Sequence, residues 1–252
     1  MLPAKIRTHI TKLHQKKYRN LYNEFIVEGL KGIEEAINKN AEVIFLVFEN
    51  DFFDKNKNFV SIVEKKGIPI HIINKNEINK IKTTTTYPGV SAVVKTTFFK
   101  LDDLIDTKQP ILAFDQINDP GNLGTIIRTA EWFDVNNILL SENSVDPYND
   151  KCVRSTMGSI FTSKLFISDN ILDSLTKLKQ EGYKIILLDM SGQDIDLLKP
   201  KKKSVYLFGS ESHGIRSSLE KIVDMRYTIP RKGNTESLNV SIATGILLSK
   251  LK

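Results

Sequence analysis

The chain has 252 residues with a formal net charge of +6, and its 40% hydrophobic content is enough for one large or two ordinary globular domains. A single cysteine, Cys152, excludes an internal disulfide framework and a Cys-rich metal cluster, and the four histidines show no ligand spacing, so we predict no metal. No stretch approaches the roughly 18 consecutive apolar residues of a membrane span, and the N-terminus lacks the apolar core of a signal peptide, so we expect a cytoplasmic protein with no membrane partner.

The first 20 residues carry the whole net charge. They contain six Lys and Arg side chains and no acid, whereas the rest of the chain holds equal numbers of basic and acidic residues. A concentrated basic segment is typical of contact with a phosphate backbone. A solvated N-terminal helix is the alternative explanation.

The next part of the chain alternates helix and strand patterns. Residues 25–38 have apolar side chains at helical spacing, and short apolar runs at 43–48, 68–73 and 90–94 indicate strands. This predicts a small α/β domain over residues 1–100. Residues 101–109 show no strand period and are predicted to be a linker, with the second domain at 110–252.

The second half contains stronger strands. Near-continuous apolar runs occur at 111–116, 137–140, 184–189 and 204–209, as expected for a parallel sheet covered on both faces. Helices are predicted at about 121–133, 170–181, 215–223 and 236–251. The predicted fold class is therefore α/β with a doubly wound parallel sheet, in which ligands bind beyond the carboxyl ends of strands.

The loop after the first of these strands reads DQINDPGNLGTIIRTA (115–130). Its Pro-Gly-Asn turn leads into a helix whose free N–H groups could bind an anion, and Arg128 follows one turn later. An arginine there can hold phosphate with a planar fork. Ordinary strand-to-helix punctuation explains the turn equally well.

The loop after the strand at 204–209 reads LFGSESHGI (207–215). Gly209 and Gly214 permit close approach of a ligand. The loop fits neither a Gly-x-Ser-x-Gly nucleophile elbow, because Glu211 stands where Ser is needed, nor a phosphate-binding Walker loop. The plainest interpretation of Glu211 is a capping residue at the start of a helix.

The third loop, IPRKGNTESLNVSIATGILL (229–248), passes from a strand end into an apolar helix. Its small residues at 241–245 indicate close helix packing. Ser237 and Asn239 are polar and stand at the junction of loop and helix, where they could face a ligand.

These three loops, in this order, resemble the three sequence motifs of the SpoU (TrmH-type) family of RNA ribose 2′-O-methyltransferases, of the SPOUT superfamily, over residues 111–250. The segment DPYNDKCVRSTMGSIF (146–161) is similar to the family's stretch between the first and second motifs, with Arg154, Ser155 and Gly158 in register. The N-terminal half more loosely resembles the ribosomal-protein-L30e-like substrate-binding domain that is often joined to the catalytic domain.

The resemblance implies a deep trefoil knot that holds S-adenosylmethionine. By position it implies cofactor contacts from Gly209, Ile229 and Leu238, mostly through the backbone, with Leu207 and Ser237 beside them. It assigns Arg128 as the catalytic arginine. The matching polar positions that could orient it are Asn122, Ser237 and Asn239, and Glu211 is expected to tie loops together.

A ribose 2′-hydroxyl is a very weak acid, so its methylation needs alignment and stabilisation of a developing alkoxide. A guanidinium is a poor base near neutral pH, so we predict that Arg128 clamps phosphate and stabilises the alkoxide. The resemblance further implies a homodimer and an RNA substrate, with 23S ribosomal RNA favoured. Methylation of transfer RNA, a drug-resistance methylase, a non-catalytic RNA-binding or ribosome-assembly protein, and a metabolite-using α/β enzyme stay open as alternatives.

Overall fold

The computed structural model describes residues 2–82, 86–107, 109–199, 202–210 and 214–251. The elements up to residue 95 are α1 (Ala4–Leu13), α2 (Lys16–Tyr22), β1 (Glu24–Glu28), α3 (Leu30–Asn38), β2 (Val43–Glu49), α4 (Asn50–Lys55), α5 (Lys57–Lys65), β3 (Ile70–Ile73), α6 (Lys75–Ile78) and β4 (Val90–Lys95). The later elements are α7 (Leu101–Ile105), β5 (Ile111–Phe114), α8 (Pro120–Trp132), β6 (Asn137–Leu140), α9 (Asp150–Thr156), β7 (Lys164–Ile167), α10 (Ile171–Gln180), β8 (Lys184–Asp194), β9 (Ser204–Phe208), α11 (Ser217–Glu220), β10 (Met225–Thr228) and α12 (Val240–Ser249), with short 3₁₀ turns at Ser159–Phe161 and Ile195–Leu197.

The first compact unit comprises Met1–Thr97 together with Asp146–Phe161. Its four-stranded sheet has the order β1-β4-β2-β3, in which β4 runs antiparallel to both neighbours and β3 runs parallel to β2. The side chains of α1 pack on this sheet through Ile10 and Leu13, which are buried with Phe45 and Val93. Segment 146–161 therefore belongs structurally with the N-terminal residues.

The helix expected over residues 25–38 is wrong in its first third. Residues Glu24–Glu28 form strand β1, and the helix α3 begins only at Leu30. Phe25, Ile26 and Val27 are all buried, which suits a strand covered on both faces. Gly29 separates the two elements with a φ of 94°, a left-handed conformation that ends the strand and that glycine adopts without strain.

The basic segment forms the two helices α1 and α2, and one of its six cations is internal. The Arg19 side chain is only 4% exposed, and its Nε and Nη2 both donate to one carboxylate oxygen of Asp146. Lys16 and Lys17 are exposed. Lys12 and Lys17 lie 5.3 Å and 5.8 Å from the centre of the Tyr18 ring. The outer cations, and not Arg19, are therefore available to a phosphate backbone.

The second compact unit comprises Phe98–Val145 and Thr162–Lys252. Its six-stranded sheet has the order β10-β8-β9-β5-β6-β7, and every neighbouring pair is parallel. The apolar runs of β5, β6 and β9 are buried along their whole length, which confirms the predicted α/β class with a parallel sheet. The segment expected to be a linker contains α7, whose Leu101 and Leu104 lie in the core of this unit.

The four predicted helices of this unit are present, with shorter bounds. The last one begins at Val240, and not at 236, because Asn239 has an extended backbone and caps it. Among the described residues, no helix is both long and apolar enough to cross a membrane. None of their His, Cys, Asp and Glu side chains form a group of three that could hold a metal ion.

Candidate active site

The candidate site is built from the loops that follow β5, β9 and β10 in the second unit. Strands β5 and β9 pair in register up to Phe114 and Phe208, whose rings stack with centres 5.1 Å apart. The backbone N–H of Asp115 then donates to the carbonyl of Phe208 at 2.8 Å. The first and second loops consequently start side by side at the carboxyl edge of the sheet.

The first loop leads into helix α8, which has a well-formed N-terminus. The Asp119 side chain accepts a hydrogen bond from the backbone N–H of Asn122 at 2.8 Å, and Pro120 occupies the first helical turn. Arg128 is exposed two turns further along this helix. Its guanidinium makes no hydrogen bond or ion pair with any residue that the structure describes, so its donors are available to an anion.

A side-chain hydrogen bond joins the first loop to the third. The amide nitrogen of Asn239 donates to Oδ1 of Asn122 at 3.0 Å. Oδ1 of Asn239 meanwhile accepts from the backbone N–H of Ser241 at 2.9 Å, so Asn239 also caps helix α12. Asn239 is held at both ends of its amide, and it fixes Asn122 at the start of the helix that carries Arg128.

The second loop folds back tightly on Gly209. Ser210 and Gly214 exchange backbone hydrogen bonds of 2.9 Å and 3.0 Å. A Cβ atom at Gly209 would lie 2.2 Å from the carbonyl carbon of Gly214, so only glycine fits there. The side chain of Leu207 is fully buried in the core, so any cofactor contact from this residue would involve its backbone. Glu211 lies outside the described residues.

The third loop begins directly after β10 at the half-buried Ile229. Every residue from Arg231 to Asn239 is exposed, Ser237 among them. Arg231 donates to the carbonyl of Thr235 at 3.0 Å and so closes part of the loop on itself. Leu238 is 46% exposed, which leaves an apolar side chain open at the start of α12.

Three further residues organise these loops, and sequence reasoning missed them. Asp115, only 1% exposed, accepts from both the backbone N–H and the Nε of Arg216 at 3.0 Å. Nη1 of Arg216 also donates to Glu142 at 2.5 Å. This hydrogen bond is the main reason why the pKa of Glu142 lies below its ordinary value. The position of Asp115 at the end of a strand was the one available signal.

A cavity of about 380 Å³ lies elsewhere on this unit, where the pairing of β10 with β8 is interrupted between Arg226 and Tyr227. It is lined by Ser191–Gln193 and Val223–Tyr227. None of the predicted site residues is in its wall, so it contributes nothing to the arrangement of Asn122, Arg128 and Asn239.

Comparisons with known proteins match both halves of the chain. The model of the SpoU rRNA methylase family matches residues 109–249, and the model of the MRM3-like substrate-binding domain matches residues 5–92. A similar curated protein is the 23S rRNA (guanosine(2553)-2′-O)-methyltransferase RlmP of Bacillus subtilis. It is 28% identical over 96% of this chain and 93% of its own length.

Two solved structures are similar along the whole chain. The AdoMet-bound rRNA methyltransferase of Sinorhizobium meliloti has a TM-score of 0.88 and 29% identity, covering 100% of this chain and 95% of that one. An RNA methyltransferase of the TrmH family from Porphyromonas gingivalis, described as putative, has a TM-score of 0.84 and 26% identity, covering 100% and 98%.

Proposed function

Because this chain belongs to the SpoU rRNA methylase family, we propose that it transfers the methyl group of S-adenosylmethionine to a ribose 2′-hydroxyl of 23S ribosomal RNA in the cytoplasm. The chain is an S-adenosylmethionine-dependent RNA methyltransferase. The observation that carries the proposal is the hydrogen bond between Asn239 and Asn122, because it joins the third loop to the helix that bears the unpaired Arg128.

The residues at the carboxyl ends of β9 and β10 fit the cofactor. Gly209 keeps its side free of any Cβ, and Leu238 offers exposed apolar surface for a flat purine ring. Ile229 and Ser237 complete the set of cofactor contacts that we assign, with Leu207 contributing through its backbone. When bound, S-adenosylmethionine supplies an electrophilic sulfonium methyl group.

Arg128 acts on the RNA. Its planar, permanently charged fork suits a phosphate oxygen and the alkoxide that develops at the 2′-oxygen. Asn122, Asn239 and Ser237 orient the ribose and the helix start, since alignment of the attacking oxygen contributes much of the rate in such a transfer. Glu211 ties the second loop to its neighbours.

The substrate assignment rests on the N-terminal half. Residues 5–92 match a substrate-binding domain, and the outer lysines of α1 and α2 present cations without any acid among the first 20 residues. The similar Bacillus protein acts on 23S rRNA by its name, and this favours ribosomal over transfer RNA. We assign substrate binding to residues 1–100, a linker to 101–109 and catalysis to 110–252. A trefoil knot and a homodimer belong to the same proposal.

The test is methyl transfer from labelled S-adenosylmethionine to separated ribosomal and transfer RNAs, with the intact chain and with Arg128→Ala and Arg128→Lys. We expect label in 23S RNA and a loss of about 100-fold or more in both variants, because lysine lacks the planar fork. Cofactor binding, measured by calorimetry, should be unchanged in both. Label only in transfer RNA would overturn the substrate assignment, and cofactor binding without any transfer would favour a non-catalytic RNA-binding protein.

A further inference from the structure

The first unit contains a pocket that the proposed chemistry does not use. It has a volume of about 310 Å³ and lies between residues 27–32, at the end of β1 and the start of α3, and residues 153–161, at the end of α9. Thr86 and Pro88 complete its wall. The pocket is thus formed where segment 146–161 packs on the N-terminal residues.

The backbone beside this pocket has unusual geometry. Met157 is a non-glycine residue with a φ of 51°, and Gly158 follows with a φ of 98°. A Cβ at Gly158 would lie 2.7 Å from the Cβ of Glu35, so the turn can approach α3 only with glycine there. Backbone conformations of this kind are held where the surroundings require them, often at ligand-binding positions. The turn leaves the Met157 side chain 42% exposed at the rim.

The wall of the pocket carries a buried acid. The Glu28 side chain is 3% exposed, and its Oε2 lies 3.4 Å from Nη1 of Arg154, which is 34% exposed. A charge-assisted hydrogen bond is usually about 2.7–2.9 Å long, so this pair is loose. A carboxylate has about four lone-pair positions, which leaves it able to accept from a ligand while Arg154 stays nearby. Lys31 supplies an exposed cation beside it.

These features match one kind of RNA base. A carboxylate accepts two hydrogen bonds best from adjacent N–H donors, and guanine presents such a pair on its Watson–Crick edge at N1 and N2. Adenine and the pyrimidines place an acceptor beside a donor on that edge. Exposed Met157 and Pro88 offer apolar surface for the ring, and unpaired RNA bases are bound in this way, by edge hydrogen bonds and packing.

We propose that this pocket binds an unpaired guanine of the RNA substrate, with Glu28 accepting from the base and Lys31 facing its phosphate. The proposal rests on the RNA substrate assigned above. It adds a base preference and a second RNA contact, in the N-terminal unit, to the methyl-transfer loops.

The test compares binding of short single-stranded RNAs that differ at one position, which is guanosine, inosine or adenosine. Inosine lacks the N2 amino group. For the intact chain we expect guanosine to be preferred over inosine and adenosine by about tenfold, since a bidentate base contact discriminates by at least that much. In Glu28→Gln the preference should be lost or move toward adenosine, because an amide presents a donor beside an acceptor. Glu34→Gln, the matched change at an exposed position of α3, should keep it.

A measurement on the unaltered chain covers the case in which Glu28→Gln fails to fold. A crosslink from an RNA with 6-thioguanosine at the variable position should map to residues 27–32 or 153–161. No guanosine preference in the intact chain, a preference that survives in a folded Glu28→Gln, or crosslinks only elsewhere would overturn the proposal. Competition by free GMP at the concentration of the RNA would overturn an RNA source for the base.

Methyl transfer to ribosomal RNA is measured in parallel on the same preparations. Guanosine preference without transfer leaves the pocket standing and refutes the proposed reaction. Transfer without guanosine preference does the opposite.

Discussion

At the scale of single residues, the buried carboxylate of Asp115 governs the loops around the candidate site. It is 1% exposed, and Arg216 provides its counter-charge through the backbone and the side chain. Burying a carboxylate is costly unless it is paired and hydrogen-bonded. Arg216, which stands immediately before α11, is therefore a positioning residue that connects the first and second loops.

Replacing Arg216 with Met should lower the free energy of unfolding by about 2 kcal/mol, below the cost of breaking a fully buried pair because Arg216 is partly exposed. Urea denaturation measures the change. Lys221→Met, an exposed cation just after α11, should shift the free energy by less than about 0.5 kcal/mol. Equal effects of the two substitutions would contradict the role of Arg216.

Glu142 makes the same cluster dependent on pH. Because the hydrogen bond from Arg216 lowers its pKa in the folded chain, its contribution to stability is present above its ordinary value of 4.5 and is lost as the pH falls through the lowered folded value. The intact chain should therefore be more stable than Glu142→Gln at pH 7, and the two should converge on acidification below 4.5. Urea denaturation at several pH values measures the difference. A gap that is constant or widens in acid would show that this hydrogen bond does not stabilise the ionised form.

At the scale of elements, helix α12 depends on a single residue with two tasks. Asn239 caps the helix with its oxygen and holds Asn122 with its nitrogen. The two tasks can be separated, since aspartate is as good a cap as asparagine but has no amide donor.

We expect Asn239→Asp to keep the melting temperature of the intact chain and to lower methyl transfer about 100-fold, since the orientation of Asn122 is lost. Asn239→Ala should lose transfer to a similar extent and also about 1 kcal/mol of stability, because the cap is gone. Thermal unfolding and single-turnover transfer measure the two effects. Full transfer by a stable Asn239→Asp would show that the link to Asn122 is not needed.

Sequence reasoning succeeded for elements whose pattern is local. The parallel strands β5, β6 and β9 read as apolar runs because they are covered on both faces, and the loops after them could be located from those runs. It failed where long-range packing decides. Residues 25–28 fit both helical spacing and a buried strand, and only pairing with β4 selects the strand. The links from Arg216 to Asp115 and from Asn239 to Asn122 join positions more than 100 residues apart, which no local pattern indicates.

At the scale of the whole molecule, the charge is divided unevenly. The excess of cations lies in the first 20 residues, on α1 and α2, while the remaining chain is balanced. Arg19 is spent internally on Asp146, so the outer lysines at 12, 16 and 17 are the candidates for phosphate contacts.

Changing Lys12, Lys16 and Lys17 together to Ala should weaken RNA binding and lower the slope of log affinity against log salt by about 2, since each phosphate contact to single-stranded RNA contributes about 0.7. Fluorescence anisotropy at several salt concentrations measures the slope. The matched change of Lys55, Lys65 and Lys66, exposed lysines on the same unit, should leave the slope as it was. The same loss from both sets would mean that only total charge matters.

The central claim is that the methyl group goes to a ribose oxygen, and alkaline hydrolysis of labelled product RNA tests it most directly. A 2′-O-methyl group removes the hydroxyl that attacks the adjacent phosphodiester, so that bond survives alkali. The account predicts that label introduced by the intact chain is recovered in alkali-stable dinucleotides and is absent with Arg128→Ala. Label recovered in mononucleotides would place the methyl group on a base and contradict the account.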